Sequence, residues 1–167
     1  YKILPESILN IPLSGAVNLH ASILPKYRGA APIQHAILNG ENKTGVTTFL
    51  IQNKVDTGDI LLQKELRIDN ASTTGKLLED LSIIGADIML KTLDGISKQN
   101  IIPKKQDDSL VTFAPKITVA DCKIKWSQSA EEIHNQIRAF SPYPGAFTYH
   151  GNKRIKLFGS QISDNEF

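Results

Sequence analysis

Three polar side chains near the start of the sequence have the types and spacing of a candidate ligand-binding or catalytic site. Asn18 and His20 lie two residues apart at the end of the apolar run at residues 15–20. Because side chains of a strand alternate between its faces, both would lie on the same face. In open α/β sheets, ligands bind outside the carboxyl ends of strands, where this amide and imidazole would lie. The alternative is that both only satisfy nearby backbone groups.

A carboxylate could join this pair from a loop. Asp56 lies in the segment VDTG at residues 55–58, between strands predicted over residues 44–52 and 59–68. At that position it could approach the same edge of the sheet. The alternative is a simple turn former, because Asp-x-Gly segments are common in turns.

The elements that must position these residues predict an α/β fold with a largely parallel sheet. A brief helical turn over residues 4–11 precedes the first strand, and a loop over residues 22–32, containing Pro and Gly, follows it. A short helix is predicted over residues 33–38. The clearest helix is predicted over residues 72–93, where apolar residues recur at helical spacing: Leu77, Leu81, Ile84 and Ile88. Strands that alternate with helices favour parallel pairing.

The sequence changes character after residue 99. Residues 100–119 are polar and irregular, which predicts an interdomain linker. Ser129 and Glu132 form a capping-box pattern, which predicts a short amphipathic helix that ends by Pro142. Two short strands around a Gly151-Asn152 turn predict a hairpin. Since a lone hairpin is only marginally stable, we expect it to begin a β-rich module whose other strands are missing here.

Composition narrows the class of protein. With 41% hydrophobic and 22% charged residues among 167, the chain has the composition of a soluble globular protein. The net charge of +2 is too small to indicate a nucleic-acid partner. The single cysteine, Cys122, cannot form an internal disulfide, and the apolar runs are shorter than the roughly 20 residues of a membrane span. We therefore expect a cytoplasmic protein with no membrane partner.

Several segments together resemble one enzyme family. They are NLHASILPKYRGAAPI at residues 18–33, VDTGDI at 55–60, LVTFAPKI at 110–117, IKWS at 124–127 and RAFSPYPGA at 138–146. They resemble the folate-dependent formyltransferases, including the 38-residue spacing from Asn18 to Asp56 (56 − 18). The later segments are similar to the linker and the carboxyl-terminal domain of methionyl-tRNA formyltransferases, which favours that branch.

The resemblance implies a fold, a reaction and its substrates. Residues 1–99 would be an incomplete Rossmann-like formyltransferase domain, residues 100–119 a linker, and residues 120–167 the start of a β-barrel (OB-like) tRNA-binding domain. The reaction would move a formyl group from 10-formyltetrahydrofolate to the amino group of methionyl-initiator-tRNA, for translation initiation and without a metal. We expect a monomer. Because the chain opens on Tyr1 instead of Met, we also expect a fragment that lacks both ends.

The resemblance also assigns roles to the three polar residues. Attack of an amine on the formyl carbon creates an oxyanion and a protonated nitrogen, so the site needs hydrogen-bond donors and a proton route. Asn18 would donate to the oxyanion, and His20 would stabilise it and shuttle a proton. Asp56 would orient His20 or receive the amine proton. The folate-contacting turn would comprise Ser22, Ile23, Leu24 and Pro25.

Basic residues have two open interpretations each. The resemblance would direct Lys153, Arg154 and Lys156 of the predicted hairpin toward the tRNA backbone, where cations position the ligand without reading bases. The alternative is a solvated strand face. Arg28 could hold the site or bind a phosphate, or it could form an ordinary surface salt bridge.

Two other functions compete with this interpretation. The superfamily shares the Asn, His and Asp set, so the acceptor could be a nucleotide-linked amino sugar or glycinamide ribonucleotide, or the donor could simply be hydrolysed. The later segments argue against these alternatives, and acceptor specificity would separate them. The other competing function is a noncatalytic folate-binding or RNA-binding fragment.

Overall fold

A computed structural model describes residues 4–163 of the chain. Its helices are α1 (Glu6–Leu9), α2 (Pro32–Leu38), α3 (Thr74–Ser97) and α4 (Ala130–Ala139), with a 3-10 turn at Asp108–Leu110. Its strands are β1 (Val17–His20), β2 (Arg28–Gly29), β3 (Lys43–Leu50), β4 (Ile60–Arg67), β5 (Phe113–Ala114), β6 (Ala146–His150) and β7 (Lys153–Leu157). None of the helices in this described part is long and apolar enough to cross a bilayer.

The main sheet has the strand order β1-β3-β4, and both of its pairings are antiparallel. The predicted α/β class is confirmed, but the expectation of a largely parallel sheet is wrong for the described strands. Residues 51–59 connect β3 to β4, and such a short loop cannot make the crossover of about a dozen residues that a parallel pair needs. The parallel pair, β2 with β5, involves two residues of each strand.

The central strand β3 is buried on both faces. Its residues 44–49 are all buried. On one face, Thr48 Oγ1 lies 2.8 Å from Thr92 Oγ1 of α3. On the other face, Thr47 Oγ1 donates a 2.7 Å hydrogen bond to the carbonyl of Ser22. The loop that follows β1 is therefore fixed over the sheet by a buried threonine.

Helix α3 covers the sheet with one apolar stripe. It begins two residues later and ends four residues later than the predicted range 72–93 (74 − 72 and 97 − 93). Thr73 caps its start by accepting the Lys76 N–H at 3.3 Å. The predicted stripe is confirmed, with three residues buried and one partly buried: Leu77, Leu81, Ile88 and Ile84. Each fully buried Leu or Ile contributes about 1.5–3 kcal/mol.

Helix α4 and the β6–β7 hairpin form the carboxyl-terminal part. The predicted capping box is confirmed, because Ser129 Oγ accepts the Glu132 N–H and the Glu132 carboxylate accepts the Ser129 N–H. The predicted hairpin is confirmed as well, with Gly151 at φ 58 in its turn. Phe147 of β6 also exchanges two 2.8 Å backbone hydrogen bonds with residues 122–124. This bridge means that the hairpin does not stand alone.

The segment predicted as a linker lies against the first part of the chain. Lys104 exchanges two 2.8 Å backbone hydrogen bonds with Ile60 at the start of β4. Further along, β5 pairs with β2 and places Phe113 opposite Arg28. These contacts fix residues 104–114 beside the loop that contains Asp56, while the division of the chain into domains stays a prediction.

Candidate active site

His20 is the last residue of β1 and is almost fully buried. A hydrogen bond orients its ring, because Nε2 lies 2.8 Å from the carbonyl oxygen of Tyr27. Because a carbonyl oxygen can only accept, Nε2 carries a hydrogen and donates it. The other ring nitrogen, Nδ1, is then the one that remains for chemistry, and it lies 3.6 Å from Asp56 Oδ2.

Asp56 reaches His20 from the loop between β3 and β4. Its Oδ2 accepts the Gly29 N–H at 2.9 Å, and its side chain is 10% exposed. The 3.6 Å separation from His20 is within ion-pair distance but longer than a hydrogen bond of about 3.2 Å. A shift of about half an ångström would complete the hydrogen bond, and such tightening is common when a substrate binds.

Two non-glycine residues at this site have a left-handed backbone, with φ 62 at Tyr27 and φ 54 at Asp56. Such conformations cost about 1–3 kcal/mol each and persist only where the surroundings enforce them. Here they present a carbonyl to His20 and a carboxylate to Gly29. Gly29 itself has φ 129, and a Cβ at this position would lie 2.5 Å from the Ala114 carbonyl oxygen. The strain is therefore located at the residues that position the pair.

Asn18 lies on β1 opposite Phe49, two residues before His20. By strand alternation the side chains of Asn18 and His20 leave the same face, but Asn18 is exposed whereas His20 is buried. Within residues 4–163 the Asn18 amide makes no hydrogen bond, so it can bind a ligand. The structure thus brings His20 and Asp56 together and leaves Asn18 at the exposed edge strand. The catalytic roles of all three stay predictions.

The loop expected to contact folate is held by internal hydrogen bonds. Ser22 is buried, and its Oγ donates a 2.6 Å hydrogen bond to a backbone carbonyl of the same loop. Leu24 is buried too, and its carbonyl accepts a 2.9 Å hydrogen bond from Gln63 Nε2. Ile23 and Pro25 are half-buried, so they have side-chain surface that a ligand could contact. The folate contacts of these four residues stay predictions.

Gln106 is a site residue that the sequence analysis missed. Its buried amide Nε2 donates to the carbonyl oxygens of Asp56, at 2.9 Å, and Gly58, at 2.7 Å. Its Oε1 accepts from Arg28 Nε at 3.1 Å and from Arg28 Nη2 at 2.7 Å. It lies in a polar stretch where no local pattern marks a buried residue. Long-range contacts bring it to the site, namely the backbone hydrogen bonds between Lys104 and Ile60 and the pairing of β5 with β2.

Arg28 is buried, and it forms an ion pair with Asp108 as well as hydrogen bonds to Gln106. Its side chain is 8% exposed, and its closest contact is with Gln106. A third hydrogen bond, of 3.1 Å, reaches the exposed carboxylate of Asp108. Of the two interpretations open for Arg28, the structure favours the one in which it holds the site together.

An open cleft of about 1110 Å³ lies next to these holding residues. Arg28 and Gln106 line it, together with Thr57 and Asp59 of the β3–β4 loop. None of the three candidate catalytic residues is among its described lining residues. The cleft therefore borders Arg28 and Gln106, which hold the His20–Asp56 pair in place, and the pair itself does not line it.

The hairpin and the adjoining Lys123 carry cations next to aromatic rings on one face. Arg154 Cζ lies 3.7 Å from the centroid of the Phe147 ring, and Lys123 Nζ lies 5.7 Å from that of Tyr149. We call this surface the basic-aromatic face and define it by Lys123, Phe147, Tyr149, Arg154 and Lys156. Strand register places Arg154 and Lys156 on it, whereas Lys153 lies on the opposite face of the hairpin.

Metal binding and thiol chemistry are the two other kinds of reactivity that the described residues could offer. Among residues 4–163, no group of three or more His, Cys, Asp or Glu side chains could hold a metal ion. Cys122 is buried, and burial raises the pKa of its thiol. Since the thiolate is the reactive form, Cys122 is a core residue and not a candidate nucleophile.

Family models match both parts of the sequence. The model described as formyl transferase matches residues 1–93, and the model described as formyl transferase, C-terminal domain, matches residues 116–167. A methionyl-tRNA formyltransferase of Thermodesulfovibrio yellowstonii is 47% identical over 161 residues, which cover 96% of this chain and 52% of that protein. The chain spans about half the length of the curated relatives it matches.

Solved structures have the same fold. A methionyl-tRNA formyltransferase from Clostridium thermocellum has a TM-score of 0.78 at 23% identity, covering 99% of this chain and 70% of that chain. The N-formyltransferase from Helicobacter canadensis, in complex with folinic acid and dTDP-3-aminofucose, has a TM-score of 0.70 at 33% identity. That match covers 74% of this chain and 46% of the other. At 23% identity, the first match shows the fold alone.

Proposed function

The chain belongs to the formyl transferase family, and on that premise we propose that the protein formylates methionyl-initiator-tRNA with 10-formyltetrahydrofolate as the donor. Relatives that match nearly the whole chain are methionyl-tRNA formyltransferases, which supports this acceptor. The observation that carries the chemistry is the buried pair in which His20 Nδ1 faces Asp56 Oδ2 at 3.6 Å. We propose that the protein acts as a cytoplasmic monomer in translation initiation.

The reaction sets two requirements for the site. The amine nitrogen of the methionyl ester attacks the formyl carbon, a C–N bond forms, and the carbonyl oxygen becomes an oxyanion. Collapse of this intermediate re-forms the carbonyl and breaks the bond to the folate nitrogen, which takes up a proton as the attacking nitrogen loses one. The site must therefore stabilise negative charge on oxygen and carry a proton between two nitrogens.

The side chains near the end of β1 can meet both requirements. The exposed amide of Asn18 donates a hydrogen bond to the oxyanion. Because Nε2–H of His20 is already donated to Tyr27, proton transfer uses Nδ1. Asp56 faces Nδ1 and stabilises the ring once it is protonated, so the proton is held between these two groups during the transfer.

The folate donor binds at the loop that follows His20. Ile23 and Pro25 offer half-buried apolar surface there, which suits the ring system of a folate. Ser22 and Leu24 fix the loop that carries this surface, because the Ser22 hydroxyl and the Leu24 carbonyl are hydrogen-bonded within the protein. The H. canadensis relative holds folinic acid, which supports a folate as co-substrate.

The tRNA binds through the carboxyl-terminal part at residues 120–167. The basic-aromatic face combines cations with the exposed ring of Tyr149, a combination that binds nucleic-acid backbone and stacks on bases, while the Phe147 ring is buried beneath Arg154. Residues 1–99 then hold the chemistry, and residues 100–119 connect the two parts while also contacting the site.

The decisive test replaces Asp56 in the full-length protein. Asp56→Asn removes the charge that faces His20, so we expect kcat for formyl transfer to charged initiator tRNA to fall about 100-fold or more. Asp59→Asn makes the same change three positions further along the loop and should keep turnover within about twofold. A correctly folded Asp56→Asn protein with unchanged turnover would contradict the proposal.

A second acceptor class is supported by one observation. The H. canadensis N-formyltransferase, 33% identical, has dTDP-3-aminofucose in its structure. Formyl transfer should be measured with charged initiator tRNA, with a dTDP-amino sugar and with glycinamide ribonucleotide, and donor hydrolysis should be measured without an acceptor. We expect the tRNA to give the highest kcat/KM, and a higher value for the sugar would favour the second candidate.

A further inference from the structure

The Gln106 side chain lies at the junction between the two stretches of chain that hold His20 and Asp56. It is 6% exposed, and its amide makes four hydrogen bonds, two to Arg28 and two to carbonyls of the β3–β4 loop. A primary amide has two donor hydrogens and two acceptor lone pairs, so its whole capacity is used. A buried amide satisfied this completely is held in one orientation.

Arg28 determines which end of the amide faces the loop. A guanidinium can only donate, so the amide oxygen must face Arg28. The NH2 group must then face the carbonyl oxygens of Asp56 and Gly58, which can only accept. Reversing the amide would place donor against donor and acceptor against acceptor, so the buried arginine fixes the direction in which Gln106 holds the loop.

The loop needs this support at the residue that carries the carboxylate. Asp56 has φ 54, a conformation that non-glycine residues adopt rarely. Two residues later, Gly58 passes so close to Leu50 that a Cβ would lie 1.5 Å from its carbonyl oxygen. Gln106 holds the carbonyls of both positions. Without it the loop could relax, which would move the Asp56 carboxylate away from His20.

The other end of the same amide acts on the stretch that orients His20. Arg28 lies between Tyr27, whose carbonyl accepts from His20 Nε2, and Gly29, whose N–H holds Asp56 Oδ2. We infer that Gln106 is a positioning residue, which sets the distance between His20 and Asp56 by clamping Arg28 to the β3–β4 loop. This inference rests on the proposed function and deepens it.

Two substitutions in the full-length protein test the clamp. Gln106→Leu removes all four hydrogen bonds at similar volume, whereas Gln106→Glu can still accept from Arg28 but has no donor for the loop carbonyls. Because misplacement of a catalytic group lowers turnover without weakening ground-state binding, we expect kcat for charged initiator tRNA to fall about 10- to 100-fold. KM should stay close to that of the unaltered protein, and both variants should be fully folded in the assay, although their unsatisfied partners lower the urea midpoint.

Asp107→Asn is the matched control, since among the described residues the Asp107 side chain bonds Ser109 alone, within its own turn. It should leave kcat within about twofold. Unchanged kcat in Gln106→Glu would overturn the positioning role. Failure of both Gln106 variants to fold, or a loss of kcat that is fully accounted for by the unfolded fraction under assay conditions, would overturn it too, because Gln106 would then serve stability.

A double-mutant cycle separates this inference from the proposed function. If Gln106 acts through Asp56, adding Gln106→Glu to Asp56→Asn should lower kcat by less than about twofold further. A full additive loss would show that Gln106 acts elsewhere. If Asp56→Asn alone keeps turnover, the proposed function fails. If Asp56→Asn loses turnover while the Gln106 variants keep it, only the role of Gln106 fails.

Discussion

The surroundings of His20 and the surface of the terminal hairpin use charge in opposite ways. Around His20, the polar groups that position the ring and the Asp56 carboxylate are buried and held, including Arg28 at 8% exposure and Gln106 at 6%, while Asn18 is exposed. On the hairpin, the cations are exposed and rest on rings, as Arg154 does on Phe147. One region restricts its polar groups to a single geometry, and the other leaves them accessible.

This difference corresponds to two kinds of work. Proton transfer between two nitrogens needs groups placed within a few tenths of an ångström, which only a packed network of hydrogen bonds provides. Attraction of a polyanion depends on charge near the surface and tolerates several geometries. A change at the first region should therefore alter turnover, and a change at the second should alter binding.

The largest expected effect comes from His20→Gln. A glutamine could still donate to the Tyr27 carbonyl, but it cannot exchange a proton near neutral pH. We expect kcat to fall about 10²- to 10⁴-fold, while binding of charged tRNA in a filter assay stays within about twofold. His35→Gln makes the same change at a histidine that bonds Pro115, and it should keep turnover. If His20→Gln lost tRNA binding, the division between a region for turnover and a region for binding would be wrong.

The fold was predictable where the signal is local. The spacing of Leu77, Leu81 and Ile88 predicted α3, and Ser129 with Glu132 predicted α4, because a turn of helix brings residues three and four apart together. The antiparallel sheet was not predictable in the same way. Which strands pair depends on contacts between residues far apart in sequence, and strand-helix alternation alone favoured the wrong direction.

The site shows the same limit. His20 and Asp56 could be proposed because a polar residue in an apolar strand and an Asp in a loop are visible locally, and the structure brings them together. Gln106 could not, because a glutamine between charged neighbours is normally exposed. Its burial results from long-range contacts: Lys104 bonds to Ile60, and β5 pairs with β2, whose residues are separated by more than eighty positions (113 − 28).

Tyr27 gives the next largest expected effect, in alkaline solution. Its hydroxyl donates to Glu41 Oε1 at 2.8 Å, and burial raises its pKa to about 12. In the unfolded chain the tyrosine loses this proton near pH 10. The hydroxyl's contribution to the free energy of unfolding is therefore complete below pH 10, and it is lost as the pH rises through about 12. The stability advantage of the unaltered protein over Tyr27→Phe should therefore shrink by about 2 kcal/mol between pH 9 and 12.

Urea unfolding at several pH values measures this difference. Tyr149→Phe on the exposed hairpin is the matched control, and it should change the free energy of unfolding by less than about 0.5 kcal/mol. If the difference in unfolding free energy between the unaltered protein and Tyr27→Phe did not vary with pH, burial near His20 would not raise the pKa of Tyr27.

Charge reversal on the basic-aromatic face should affect binding alone. Replacing Lys123 and Arg154 with Glu should weaken binding of charged tRNA about tenfold near 0.1 M salt and flatten the salt dependence by about 0.7–0.9 per lost phosphate contact. kcat at saturating tRNA should stay within about twofold. Lys153→Glu, which places an acidic side chain on the opposite face of the hairpin, should have a smaller effect. Equal effects per reversed charge would mean that neither face is preferred.

The smallest expected effect comes from the cap of α4, the helix that precedes the hairpin. Ser129→Ala removes the hydroxyl that accepts the Glu132 N–H, and loss of such a cap costs about 1 kcal/mol of stability. At 25 °C both kcat and tRNA affinity should stay unchanged, because neither region's groups are touched. Ser127→Ala, two residues earlier, controls for loss of an exposed hydroxyl and should leave the free energy of unfolding within about 0.5 kcal/mol. If a fully folded Ser129→Ala protein bound tRNA more weakly, tRNA binding by the hairpin would depend on a precise geometry. The hairpin would then resemble the surroundings of His20 more closely than we propose.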